Sequence, residues 1–337
     1  MKILVDAMGG DNAPEEIVDG CIEAVKVLDG YEINLLGDKD KIERILSKNN
    51  FSGDRIKTIH TTEVITNDDV PTKAIKSKKD SSMVVGLKML KENQGDVFLS
   101  AGNTGALSAG SLLIVGRMEG VDRPALAPLI PTKNGPVLLI DAGLNTNCRP
   151  INYLQFAQIG STYMREMYKI KDPKVGLINI GTEANKGYEE LKQAYLLLSN
   201  SGLNFVGNIE GRQLPEGEVD VAVCDGFVGN VLLKFLEGVG SFILEGLSGV
   251  YKQDLISKLS ALMIKRKLKK FLKKMDYEEY GGTPILGING TVFKCHGSSN
   301  AKSIKNAIIK AYDFTRNSVL DQLRHEFYNR EAGNLGI

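Results

Sequence analysis

Residues 219–234 read Val219-Asp-Val-Ala-Val-Cys-Asp225-Gly-Phe-Val-Gly229-Asn230-Val-Leu-Leu-Lys234. The first half, with Val at alternate positions and no charge between Asp220 and Asp225, predicts a short buried strand. Asp225-Gly and Gly229-Asn230 then mark a tight turn, after which Val231, Leu232, Phe235 and Leu236 recur at helical spacing. A strand, a glycine-bearing turn and a helix place a helix N-terminus beside the carboxyl end of a strand. Backbone N–H groups there face open space and favour an anion.

The same grammar recurs along the chain. Small polar residues close the apolar runs at Asp6 with Gly9-Gly10-Asp11, at Ser100 with Gly102-Asn103-Thr104, at Asp141 with Gly143 and Asn145, and at Asn179 with Gly181-Thr182 and Lys186. The strands are continuous apolar runs rather than in/out alternations, and helical periods separate them. That pattern predicts an α/β fold with a mostly parallel sheet covered on both faces. In such sheets ligands sit outside the carboxyl ends of the strands, so the five turns are expected to converge on one site. A nearly all-apolar helix at 107–115 is expected to be buried, and one terminal helix at 301–327 to close the chain.

Beyond Lys234 the strand signal stops until about residue 286. A helical arm over 235–278 is expected within a single domain of 1–337. Eight basic residues and no acid lie between positions 255 and 275, in a chain whose net charge is only +1. Leu259, Leu262, Met263 and Phe271 alternate there with Lys265, Arg266, Lys269 and Lys270. Such a segment suits a dimer partner or a membrane surface, and the two are compatible.

With 337 residues, 42% hydrophobic and 25% charged, the chain has the composition of an ordinary globular protein. Cys21, Cys148, Cys224 and Cys295 form no CxxC pair and read as reduced structural thiols. No run reaches the ~18 consecutive apolar residues of a membrane span. Asp6 directly after Ile3-Leu4-Val5 argues against a targeting peptide, so an intracellular protein is expected.

Neither GxGxxG nor GxxxxGK[ST] occurs, so the turns suit a compact anion such as phosphate better than a dinucleotide. Ser108 lies in a near miss of a nucleophile elbow, inside a predicted helix. His60, His296 and His325 have no zinc-type spacing, and no metal or other cofactor is expected. Asp6, Asp11, Asp141 and Asp225 read more readily as helix caps or orienting groups than as magnesium ligands. Lys186 in Thr-Glu-Ala-Asn-Lys-Gly is either a solvated surface residue or a point charge for phosphate.

Together these segments resemble the bacterial acyl-acyl carrier protein:phosphate acyltransferase family. The likeness runs nearly end to end, through Asp6-Ala-Met-Gly-Gly-Asp11, Ser100-Ala-Gly-Asn-Thr-Gly-Ala106, Asp141-Ala-Gly, Asn179-Ile-Gly-Thr-Glu183 with Lys186-Gly187, Asp225-Gly-Phe-Val-Gly-Asn-Val231, Tyr280-Gly-Gly and His296-Gly-Ser-Ser299. It departs at Asn147, where the family pattern carries an aspartate. The resemblance implies a three-layer α/β/α, doubly wound fold like that of isocitrate dehydrogenases, with a protruding helical hairpin. It also implies a homodimer, a fatty acyl donor on acyl carrier protein, an acyl-phosphate product for phospholipid synthesis, and a cytoplasmic enzyme in transient contact with the membrane and a downstream acyltransferase. No nucleic-acid partner is expected.

Phosphate near neutral pH is largely dianionic and needs neither a covalent protein nucleophile nor a strong base. Lys186 and the amides around Gly10-Asp11 and Gly102-Asn103-Thr104-Gly105 are therefore assigned to phosphate. Asn230, with Asn103 and Thr104, is assigned to the phosphate or the thioester carbonyl, and Asp225 and His296 to orienting these groups. Two other functions fit the sequence less well: a nicotinamide-dependent oxidoreductase on the related fold, and a non-enzymatic adaptor for membrane and carrier protein.

Overall fold

The computed structural model describes residues 1–254, 256–260, 262–264, 266–267 and 281–334. The apolar runs form two sheets rather than the one expected. In the first, β3 (Ile56–His60), β2 (Glu32–Gly37), β1 (Lys2–Asp6), β4 (Val97–Ser100) and β12 (Thr291–Lys294) lie side by side and parallel. Antiparallel β11 (Thr283–Leu286) follows, and β5 (Ala125–Leu126), antiparallel to β11, closes the edge. The second sheet runs β6 (Leu129–Thr132), β7 (Gly135–Ile140), β10 (Val221–Val223), β8 (Val175–Ile178) and β9 (Phe205–Ile209), parallel except for β6.

The division falls at residues 126–129, where the chain leaves one sheet and enters the other. Ala127 N donates to Pro284 O of β11, while Leu139 N of β7 donates to Pro128 O. One residue thus bonds each sheet, and no strand has to span both. Sequence periodicity carries no trace of this handover, because the residues at the corner stay buried throughout.

Side-chain alternation builds the layers. Ile3 and Val5 of β1 and Val221 and Val223 of β10 join one core shared by both sheets, with Ile17, Phe156, Tyr163 and Ile308 from helices α1 (Glu15–Val25), α6 (Pro150–Tyr168) and α9 (Ala301–Arg316). Leu4 and Phe98 face the other way, toward α4 (Ser82–Lys91) and α5 (Thr104–Gly110). Ala222 likewise faces Val228 and Leu232 of α8 (Gly226–Lys252). The fold class is α/β as expected, with helices on both faces.

Two local expectations are corrected. Helix α5 passes into a π-turn at Ser111–Val115, which leaves Leu112 and Leu113 exposed rather than buried. A short helix, α3 (Pro71–Ser77), also forms; Pro71 at its start has no N–H to leave unpaired. The terminal helix is two, α9 and α10 (Val319–Asn334), broken at Ser318, whose φ of 53° is incompatible with a continuous right-handed helix. Helices α2 (Lys39–Lys48) and α7 (Glu189–Ser199) complete the covering layers.

Among the described residues, only the first turns of α8 are packed. Gly229 lies so close to β7 that an added Cβ would stand 1.9 Å from Asp141 O, whereas Gly238, Gly240, Gly246 and Gly249 face open space. Helix α8 is long and apolar enough to cross a membrane by length and composition, with a mean hydropathy of 1.5 over its most apolar stretch. The sequence expectation missed this because Lys234, Glu237 and Glu245 interrupt the apolar run. Leu259, Leu262 and Met263 are exposed. Arg266 is exposed as well, and Lys265, Lys269, Lys270 and Phe271 lie outside the described residues.

Candidate functional site

The strand-end turns gather into two groups, one per sheet. In the first, Asp6 at the end of β1 is buried and accepts from Ser82 Oγ and Ser100 Oγ, each at 2.6 Å, and from Met8 N at 3.2 Å. Burial pushes its carboxyl above the ordinary carboxylate value, against the opposing pull of those hydrogen bonds. Ser100 Oγ in turn accepts from Gly102 N at 3.0 Å. The backbones of Gly9 and Gly102 meet here; a Cβ on Gly9 would lie 2.4 Å from Asp6 Oδ2 and 2.8 Å from Gly102 N. Asp6 therefore organises the turn from behind.

Two of the amides assigned to phosphate are engaged within the protein. Gly102 N serves Ser100, and Asp11 N donates to Gly297 O at 2.8 Å. Asn103 Oδ1 caps α5 through Ala106 N at 3.0 Å, while its amide nitrogen donates to Thr66 O at 3.1 Å. Gly10, at a φ of +113°, packs against Ala101 and Gly297. Thr104 and Gly105 are exposed at the start of α5.

Lys294 completes this group, and the sequence reading passed over it. It is buried at the end of β12, and its ammonium donates to Cys295 O and, at 3.4 Å, to Ala101 O. Burial lowers its pKa, which the nearby Asp6 carboxyl only partly offsets. A lysine inside the apolar run Val292-Phe293-Lys294-Cys295 was the available signal, since an amine is rarely buried without a task or a partner.

In the second group, buried Asp141 accepts from Leu126 N, Leu144 N, Asn145 N and Asn145 Nδ2 at 2.7–3.0 Å. Both of its oxygens are filled by protein donors, as a structural carboxylate requires. Burial raises its pKa. Asp225 caps α8, accepting from Val228 N at 2.9 Å. Asn230, one turn further, is exposed beside Gly143. Lys186 lies in the loop after β8, half-exposed, its ammonium 3.7 Å from Glu183. Asn179 Nδ2 donates to Lys186 O at 3.0 Å and fixes that loop. Tyr188 and Tyr153, whose hydroxyls meet over Asp225, carried no sequence signal.

Lys234 joins the groups. It stands on α8 one turn beyond Asn230, and its Nζ is 3.5 Å from His296 Nε2 at the end of β12. Burial and the neighbouring Lys234 together hold the His296 pKa below the ordinary histidine value. His296 Nδ1 lies 2.8 Å from Ser298 Oγ. A serine activated by histidine needs the imidazolium to be stabilised, usually by a carboxylate on the other nitrogen. Here Lys234, paired with Glu237 at 2.6 Å, stands at that nitrogen.

The strand ends of the two sheets thus approach one another at Lys234 and His296, with Lys294 buried at the end of the same strand β12. Residues 1–322 match the family described as fatty acid synthesis protein. The chain belongs to that family.

Curated relatives of this fatty acid synthesis protein are named phosphate acyltransferase. That of Acetivibrio thermocellus is 58% identical over 335 residues, 99% of each chain. That of Thermoanaerobacter pseudethanolicus is 50% identical over 326 residues, 97% of each. The chain is an acyltransferase. Its fold is similar to that of a phosphotransacetylase from Streptococcus pyogenes, with a TM-score of 0.62 at 16% identity and 94% of each chain covered. It is also similar to a 4-hydroxythreonine-4-phosphate dehydrogenase from Klebsiella pneumoniae, with a TM-score of 0.52 at 14% identity, covering 92% of this chain and 97% of the other. At such identities the likeness concerns the fold alone.

Proposed function

We propose that the chain transfers a fatty acyl group from an acyl carrier protein thioester to inorganic phosphate, supplying acyl phosphate for phospholipid synthesis. A phosphate oxygen attacks the thioester carbonyl, a C–O bond forms, the C–S bond breaks, and the proton of hydrogen phosphate ends on the leaving thiol. The observation that carries this reading is the meeting of Lys234 with His296 between the two groups of strand ends, with Lys294 buried beside them and Lys186 on the loop after β8. Cations gathered at strand ends suit an anionic nucleophile such as phosphate.

Lys186 and the exposed start of α5 at Thr104 and Gly105 hold the phosphate, with Gly10 at the wall. Asn230 donates to the developing oxyanion, Asp225 fixes the helix that carries it, and His296 moves the proton. Losing one oxyanion donor costs ~10²–10³ in rate. Asn230→Ala is expected to lose turnover on that scale at saturating substrates, and Lys186→Ala chiefly to raise the KM for phosphate.

The exposed apolar length of α8, with Phe235, Phe242 and Ile243, serves a second copy of the chain. The segment bearing Leu259, Leu262 and Met263 serves the membrane or the acidic carrier protein. In this reading the enzyme works in the cytoplasm, peripherally on the membrane. The test is direct: acyl carrier protein thioester is incubated with and without phosphate, and acyl phosphate is sought. Loss of thioester independent of phosphate would refute the assignment. A melting-temperature shift with NAD or NADP would favour the oxidoreductase instead.

A further inference from the structure

The loop that carries Lys186 is tied to helix α8 by tyrosine hydroxyls. Tyr188 Oη donates to Asp225 Oδ2 at 3.0 Å. Tyr153 Oη lies 2.8 Å from Tyr188 Oη and 3.4 Å from the same carboxylate oxygen. Asp225 uses its other oxygen, Oδ1, to accept from Val228 N and cap α8. One carboxylate therefore divides its work: one oxygen sets the helix, the other sets Tyr188.

Lys186 lies two residues before Tyr188, and the chain between them has little freedom. Asn179 Nδ2 holds Lys186 O at 3.0 Å. Gly187 has a φ of +86°, and a side chain there would strike Asn179 Oδ1 at 2.8 Å. Tyr153 is fully buried on α6 and gives the pair a rigid backing, whereas the Tyr188 ring is 49% exposed. Burial keeps both phenols protonated at neutral pH, with Tyr188 pushed up to about 12, so each has a proton to donate.

We propose that Tyr188 is a positioning residue for Lys186. Its hydroxyl on Asp225 fixes the separation between the Lys186 loop and the Asn230 face of α8, and so sets phosphate affinity from behind the site. The proposal rests on the reading of Lys186 as the group that holds phosphate. A hydrogen bond to a charged acceptor is strong enough to matter, and small displacements of a binding group cost affinity.

The experiment compares wild type, Tyr188→Phe, Lys186→Ala and the double variant in full-length protein. Tyr188→Phe keeps the ring and removes one hydroxyl. The KM for phosphate is expected to rise about tenfold, with kcat within about twofold and the KM for acyl donor unchanged, as loss of uniform binding requires. In the Lys186→Ala background the second substitution is expected to add nothing, because it acts through the missing lysine. Tyr153→Phe, which leaves the Tyr188–Asp225 bond in place, is expected to have a smaller effect.

A purely structural role would instead lower the melting temperature and add in full to Lys186→Ala, and either result overturns the proposal. Inorganic phosphate titrated against the melting temperature provides a readout without turnover. Tyr188→Phe should need about tenfold more phosphate for the same rise. Equal phosphate responses in wild type and variant, strong or nil, overturn the proposal. A wild type that responds to phosphate in this way but forms no acyl phosphate overturns only the acyl-transfer reading.

Discussion

Lys234 Nζ lies 3.5 Å from His296 Nε2, joining a helix that follows the second sheet to a strand end of the first. On the other side of the ring, His296 Nδ1 accepts from Ser298 N at 3.3 Å and lies 2.8 Å from Ser298 Oγ. The contact brings the two groups of strand ends together at one point.

His296 is therefore expected to titrate below ~6.5, the ordinary histidine value, because of burial first and Lys234 second. The unfolded chain then binds more protons than the folded one between the two values. Stability from this residue is present above that window and is lost as pH falls through it. Lys234→Met should move the midpoint upward without restoring it fully, as burial remains. Proton NMR of the three histidine rings reads this, and an unmoved midpoint would exclude the contact in solution.

Lys294→Met replaces a buried ammonium by an apolar side chain of similar length. Its pKa is lowered by burial, so the charge is held at a cost to stability. Phosphate-dependent turnover is expected to fall about tenfold or more while the melting temperature does not drop by more than a few degrees, a trade of function against stability. Full activity in a well-folded variant would remove Lys294 from the site.

Gly229→Ala tests how α8 is seated. The added methyl would stand 1.9 Å from Asp141 O, a main-chain atom with no room to retreat. Overpacking against backbone places this change among the severe ones, about 4 kcal/mol or more. Urea unfolding measures it, and a loss under about 1 kcal/mol would mean that the helix start can shift.

Leu262→Glu with Met263→Glu alters two exposed side chains. Their apolar surface contributes nothing to the described core, so the melting temperature should stay within a degree or two. Binding to anionic vesicles, followed by flotation, is expected to be lost. Retained flotation would assign the segment to a protein partner.

The sequence by itself determined the parallel strands, because continuous apolar runs such as Ile3-Leu4-Val5 and Val221-Ala222-Val223 can be buried on both faces only in that way. It also determined the polar strand ends and the cap at Asp225, which depend on neighbours within a few residues. The tertiary structure alone decided that the strands divide into two sheets, that Lys294 reaches Ala101, that Tyr188 and Tyr153 meet over Asp225, and that Lys234 meets His296. These partners lie tens to hundreds of residues apart, and local periodicity records which face a residue turns to the core, not what waits for it there.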